Sequence, residues 1–121
     1  MAGAHWLSHK GKKVLFIDFS NSDVAEVKAT IEHTKPLIAK EPQMSILCLV
    51  DATGCNFDIE GTKALQLFSA YNKPYIKMTA VTGTEGLLKV IYSGVLVFTR
   101  RKNIVLKSSR EEALDWLISI P

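Results

Sequence analysis

Met44 to Tyr71, M-S-I-L-C-L-V-D-A-T-G-C-N-F-D-I-E-G-T-K-A-L-Q-L-F-S-A-Y, is the stretch that decides the fold. Ile46-Leu47-Cys48-Leu49-Val50 is a continuous apolar run with no polar alternation, the pattern of a strand covered on both faces. The run stops at Asp51. A loop of small and polar residues, Ala52-Thr53-Gly54-Cys55-Asn56, leads into a segment with apolar residues at helical spacing: Ile59, Ala64, Leu65, Phe68 and Tyr71. Asn56 or Asp58 is suited to cap that helix, because a short oxygen-bearing side chain accepts from the orphan N–H groups of the first turn. The centre is therefore a buried strand, a polar loop and a helix packed back on the sheet. In open α/β sheets, sites favour this position beyond the carboxyl end of a strand.

Outward from that centre, the same grammar repeats. His5–Ser8 and Lys13–Phe19 read as two strands joined by a turn at Lys10-Gly11-Lys12, where glycine supplies a positive φ. Ser20-Asn21-Ser22-Asp23 starts a helix running to about Lys40, with Val24, Val27, Ile31 and Thr34 on one face. Pro36 predicts a kink or restart, since it removes a backbone donor and crowds the previous turn. Asn72-Lys73-Pro74 stops the central helix. Tyr75 to Thr82 is a further strand, and Gly83-Thr84-Glu85-Gly86 turns into a helix carrying Leu87, Leu88, Ile91, Val95 and Phe98. Ile104-Val105-Leu106 is a short strand, and Ser109…Glu112 is a capping box for a last helix with Trp116 largely buried. The expected fold is α/β: a mixed, mostly parallel central sheet of about five strands, opened by an N-terminal β-hairpin and flanked by four helices.

The chain has 121 residues, which suits one domain spanning 1–121. Its 47% apolar and 22% charged residues argue against disorder. A net charge of +3 does not by itself imply nucleic acid, and none is expected as a partner. No apolar run approaches the ~18 residues that span a bilayer. The first ten residues lack the apolar region of a signal peptide. Cys48 falls inside the buried strand and Cys55 in the turn after it, as a small exposed thiol. A disulfide framework is not expected, and reduced thiols in a cytoplasmic protein are.

The strand-to-helix loops gather at one edge with Asp18, Asp23, Asp51, Asp58, Glu60 and Glu85. Those carboxylates would repel phosphate, and no glycine-rich nucleotide motif is present. Their plainer roles are helix caps and charges complementing helix dipoles. A cation between Asp51, Asp58 and Glu85 is the alternative that oxygen ligands allow, but no metal or cofactor is expected. Cys55 has no histidine near it in sequence. The basic group Arg100, Arg101, Lys102, Lys107 and Arg110 reads as solvated surface.

The order of elements resembles the STAS fold of bacterial anti-sigma-factor antagonists and sulfate-transporter C-terminal domains. Lys13–Ser20, Leu49–Gly54, Asn72–Tyr75, Ala80–Gly83 and Glu112–Leu117 resemble more closely a family of small stand-alone antagonist-like proteins, grouped also with CRAL–TRIO lipid-binding domains. In antagonists an Asp-Ser-Ser-Gly motif before the central helix carries a phosphorylated serine. The nearest match here is Asp58-Ile59-Glu60-Gly61, which has neither serine, so Glu60 puts a fixed charge near the phosphoacceptor position. The resemblance implies a non-enzymatic binding or regulatory domain. Its partner would be another protein, bound at Asp51, Thr53, Gly54, Asp58, Glu60, Gly61, Thr84 and Glu85. The CRAL–TRIO side of the resemblance implies instead a small apolar ligand held by Phe68, Tyr71, Leu87, Ile91 and Phe98. Exposed Trp6 and Leu7 at the side of the sheet add the expectation of a homodimer.

Overall fold

The structure, a computed structural model, describes residues 3–55, 59–83 and 103–120. Five strands form one sheet in chain order: β1 (Gly3–His9), β2 (Lys12–Asp18), β3 (Ile46–Asp51), β4 (Ile76–Thr82) and β5 (Ile104–Leu106). β1 pairs antiparallel with β2, and every other neighbouring pair is parallel. Three helices are described: α1 (Val24–Ala39), α2 (Ile59–Asn72) and α3 (Arg110–Ile118). The helix expected after Gly83 lies outside the described residues. No described helix is long and apolar enough to cross a membrane.

The hairpin closes through a two-residue loop with positive φ at both Lys10 (49°) and Gly11 (85°), the type I′ geometry whose twist matches the strands. α1 starts with a reciprocal capping box: the Asp23 carboxylate accepts from the Glu26 N–H, and Glu26 accepts from the Asp23 N–H. α1 does not restart at Pro36 but continues through it as one helix. Buried Thr30, Ile31, Thr34 and Ile38 flank that position and pack the helix on the sheet, which outweighs one missing intrahelical bond. At the start of α3 only the forward half of the box forms: Ser109 accepts from the Glu112 N–H, while the Glu112 carboxylate takes the Ser108 hydroxyl.

β3 is central, as its apolar run requires. Its residues divide by parity between two cores. Ile46 and Cys48 face the α1 and α2 side with Leu15, Ile17, Phe19, Val27, Ile31, Ile38 and Phe68. Leu47 and Leu49 face the α3 side with Val14, Phe16, Ala80, Ala113 and Leu117. A register shift between Ile46 and Leu47 carries the pairing from Ile76 straight to Met78, and the Asn103 side-chain amide donates to the Ile76 and Lys77 carbonyls there, 3.1 Å each.

Trp116 is half-buried rather than largely buried. It packs on the α3-side core with one face under Lys107, whose Nζ lies 5.0 Å from the ring centroid. The fully buried anchors of α3 are Ala113 and Leu117, one turn apart, which rotates Trp116 to the rim. Trp116→Ala should therefore cost about 2–3 kcal/mol by denaturant unfolding, below the figure for a fully buried indole. Trp6 and Leu7 are likewise half-buried rather than exposed: Trp6 packs against one core and Leu7 against the other.

Candidate functional site

Parallel pairing brings the carboxyl ends of β2, β3 and β4 into one row. Asp18 is in register with Asp51, and Asp51 with Thr82. Each aspartate closes the turn that follows it. Asp18 Oδ1 accepts from the Ser20 N–H at 2.9 Å, and Asp51 Oδ1 accepts from the Thr53 N–H at 2.9 Å. Such i to i+2 bonds are the reason aspartate is favoured where a chain must turn.

Asp51 does more than close its turn. It is 3% exposed. Oδ1 also accepts the Thr53 hydroxyl at 2.6 Å, and Oδ2 accepts from Nε of Arg110 at the start of α3 (2.7 Å), with Nη2 of the same guanidinium 2.5 Å away in an ion pair. Three hydrogen bonds and an ion pair thus surround one carboxylate. Burial alone would push the Asp51 pKa up. The Thr53 hydroxyl and N–H and the Arg110 guanidinium together outweigh burial and hold it below its usual value. The other face of the guanidinium lies over the Phe16 ring, 4.7 Å from the centroid.

The loops are knitted by backbone bonds as well. Phe19 donates to Asp51, Asn21 to Thr53 and Ala52 to Thr82, at 2.8–2.9 Å. Two glycines allow this closeness. Gly83 has φ +74°, and a Cβ there would sit 2.3 Å from Thr53 Oγ1 and 2.4 Å from Thr53 N. Gly54 has φ +66°, and a Cβ would sit 2.3 Å from Asn21 Oδ1. At Gly83 the obstacle is backbone, so only a residue without a Cβ fits; at Gly54 it is the end of the Asn21 side chain, and the positive φ is the larger reason for glycine. The result is an exposed Thr53-Gly54 turn clamped from below by Asp51 and from the sides by Asn21 and Gly83.

Beside it rises α2. Its buried row runs Gly61, Phe68, Ser69 and Asn72, with Ala64 and Leu65 packed against the core. The opposite face leaves Ile59 79%, Leu67 68% and Tyr71 38% exposed. Near the helix start, Glu60 forms an exposed ion pair with Lys28 of α1.

Among the residues expected to meet a partner, Thr53, Gly54 and Glu60 lie at the surface. Asp51 and Gly61 are buried: Asp51 is held by Thr53 and Arg110, and Gly61 faces inward from the first turn of α2. Asp58, Thr84 and Glu85 lie outside the described residues. Of the residues expected around an apolar ligand, Phe68 is in the core, whereas Tyr71 stands at the surface near Tyr75. Leu87, Ile91 and Phe98 lie outside the described residues.

Two expectations change. Cys55 is buried rather than exposed, its thiol 3.6 Å from the Ser22 carbonyl, because the tight turn folds it under the loop; neither it nor Cys48 is in a disulfide. Arg110 belongs to the site rather than to a solvated surface. Its sequence signal was its place one residue after the Ser109 cap, which sets it at the sheet edge where the strand-end acids gather. No cluster of three or more metal-ligating side chains occurs among the described residues. Compared with protein-family models and with curated proteins, the chain matches none.

Proposed function

We propose that this is a non-enzymatic binding or regulatory domain that docks another protein through the Thr53-Gly54 turn and the outward face of α2. The observation that carries this reading is the pairing of a rigid turn with large apolar side chains left in water. Ile59 and Leu67 are eight residues apart, about two turns along α2 and roughly 80° round it, on the same outward side with exposed Lys63 between them. Exposed apolar surface rimmed by polar groups marks contact sites. The strand-end acid at the same edge, Asp51, has its acceptor positions filled by Thr53 and Arg110, so it has little capacity left to act as a base or ligand.

The resemblance to STAS domains supports the same edge as the working surface. In this reading the domain does not cycle through phosphorylation at this loop: Glu60, paired with Lys28, has no hydroxyl to modify, and the Thr53 hydroxyl is engaged by Asp51. Reduced thiols and the cytoplasm remain the setting in which we place it.

Leu67→Glu tests the proposal. The side chain is mostly in solvent, so the melting temperature should move by no more than a degree or two. Capture of a partner from the native host should fall at least about tenfold, as expected when a charge is forced into an apolar contact. Undiminished capture by Leu67→Glu would remove α2 from the binding surface.

A further inference from the structure

β1 is an edge strand of seven residues, Gly-Ala-His-Trp-Leu-Ser-His, with β2 on one side and no strand on the other among the described residues. Natural edges are commonly blunted by a lysine, a proline, a bulge or brevity. β1 has none of these: its register with β2 is unbroken from Gly3 to His9, and its sequence contains no lysine, arginine, aspartate, glutamate or proline. The other edge, β5, is only three residues long.

The hairpin fixes which backbone groups are unused. A two-residue type I′ loop makes its flanking residues, His9 and Lys12, a hydrogen-bonded pair. By alternation, Gly3, His5, Leu7 and His9 direct their N–H and C=O groups to β2, while Ala4, Trp6 and Ser8 direct theirs outward. The Ala4 carbonyl fits this parity, since it lies 3.3 Å from Nε2 of His33 on α1 instead of on the β2 ladder. A carbonyl has two acceptor positions, so one remains.

Three outward residues at spacing two form a ladder that is its own antiparallel complement. About a twofold axis through Trp6, Trp6 faces Trp6 of the second copy and Ala4 faces Ser8. That arrangement makes six main-chain hydrogen bonds. It is also electrostatically permitted. Lys13, the cation over the Trp6 ring at 3.9 Å, is already paired with Glu41 at 3.1 Å. The cation beside the Trp6 seam is therefore already compensated when two copies meet, and the half-buried rims of Trp6 and Leu7 complete their burial. We infer that β1 pairs antiparallel with β1 of a second copy of this chain, joining two five-stranded sheets into one of ten strands. This interface is separate from the carboxyl-edge surface proposed above.

The test is Ser8→Pro in the full-length chain. Ser8 is exposed and its N–H points outward, so proline removes a bond from the dimer and none from the β1–β2 ladder. Sedimentation velocity over a concentration series should show a monomer–dimer equilibrium for the parent. Its dissociation constant should rise at least about tenfold in Ser8→Pro, because the symmetric interface loses two bonds. Circular dichroism reports whether the variant folds, and Ser8→Lys replaces it if it does not. Hydrogen exchange supplies an independent readout: the Ala4, Trp6 and Ser8 amides should gain protection with concentration, whereas the His5 and Leu7 amides stay protected throughout. A parent that remains monomeric at millimolar concentration, a dimer unchanged by Ser8→Pro or Ser8→Lys, or open-ended polymers would each overturn the inference.

Discussion

Gly83→Ala lowers the stability of the fold by roughly 3–5 kcal/mol, the largest effect expected of any single methyl group in the described chain. Two costs combine. The residue sits at φ +74°, where an L side chain is strained. The added Cβ also lands 2.3–2.6 Å from the N, Cα and Oγ1 of Thr53, and two of these are backbone atoms that cannot rotate away. Relief would require the Thr53 turn to move, which would break its bonds to Asp51 and Asn21. Gly11→Ala is the control. Gly11 also has a positive φ (85°) but no atom within 4 Å of its would-be Cβ, so only the conformational cost of ~1–2 kcal/mol remains. Denaturant unfolding of the two variants side by side separates crowding from strain. Equal losses would show that the Gly83–Thr53 approach is not tight.

Asp51→Asn is the second large effect, about 2–3 kcal/mol, from a substitution that changes almost no volume. An asparagine in the same rotamer can still accept from Thr53 through its oxygen, but it turns an NH2 group towards the Arg110 guanidinium and loses the ion pair. The cost stays below that of breaking a wholly buried pair because Arg110 is half in solvent and can rehydrate. Arg110→Met should cost less, ~1–2 kcal/mol, since Thr53 still holds the carboxylate and the methionine stem still covers Phe16. The pH dependence follows from the lowered Asp51 pKa. Its folded value lies below the unfolded one, so the unfolded chain takes up the proton first as pH falls. The stabilisation is whole above the ordinary aspartate range, about 4, and is lost as pH drops through the folded value. The gap between parent and Asp51→Asn should therefore be constant near neutrality and narrow in acid. A gap independent of pH would mean that the carboxylate charge contributes nothing.

The sheet was legible in the sequence because buried parallel strands are written as unbroken apolar runs. Ile46–Val50 is such a run and Val14–Phe19 nearly one, broken only by Asp18, whereas Tyr75–Val81 was read from Ile76, Met78 and Ala80 on one face; the three are adjacent and parallel as expected. The α2 face was not legible. Hydrophobicity chose Ile59 and Tyr71 as core residues, yet the buried row runs through Gly61, Ser69 and Asn72. Where a helix packs on a neighbour with small and polar residues, apolar spacing points to the wrong side. That misreading is informative, because the apolar residues left outside are the ones a partner would cover. The Asp51–Arg110 pair was hidden for another reason. The two are 59 residues apart in sequence, and no local pattern links an acid ending one strand to a base beginning a distant helix. Only the register of β4 and β5 brings the start of α3 to the end of β3.

Hydrogen exchange on the complex with a captured partner bears most directly on the function proposed for this edge. Compared with the domain alone, the amides of Thr53 and Gly54 and those along α2 from Ile59 to Tyr71 should slow together, with α3 unchanged. Protection confined to α3 or β5, with the Thr53-Gly54 turn and α2 exchanging as before, would contradict it.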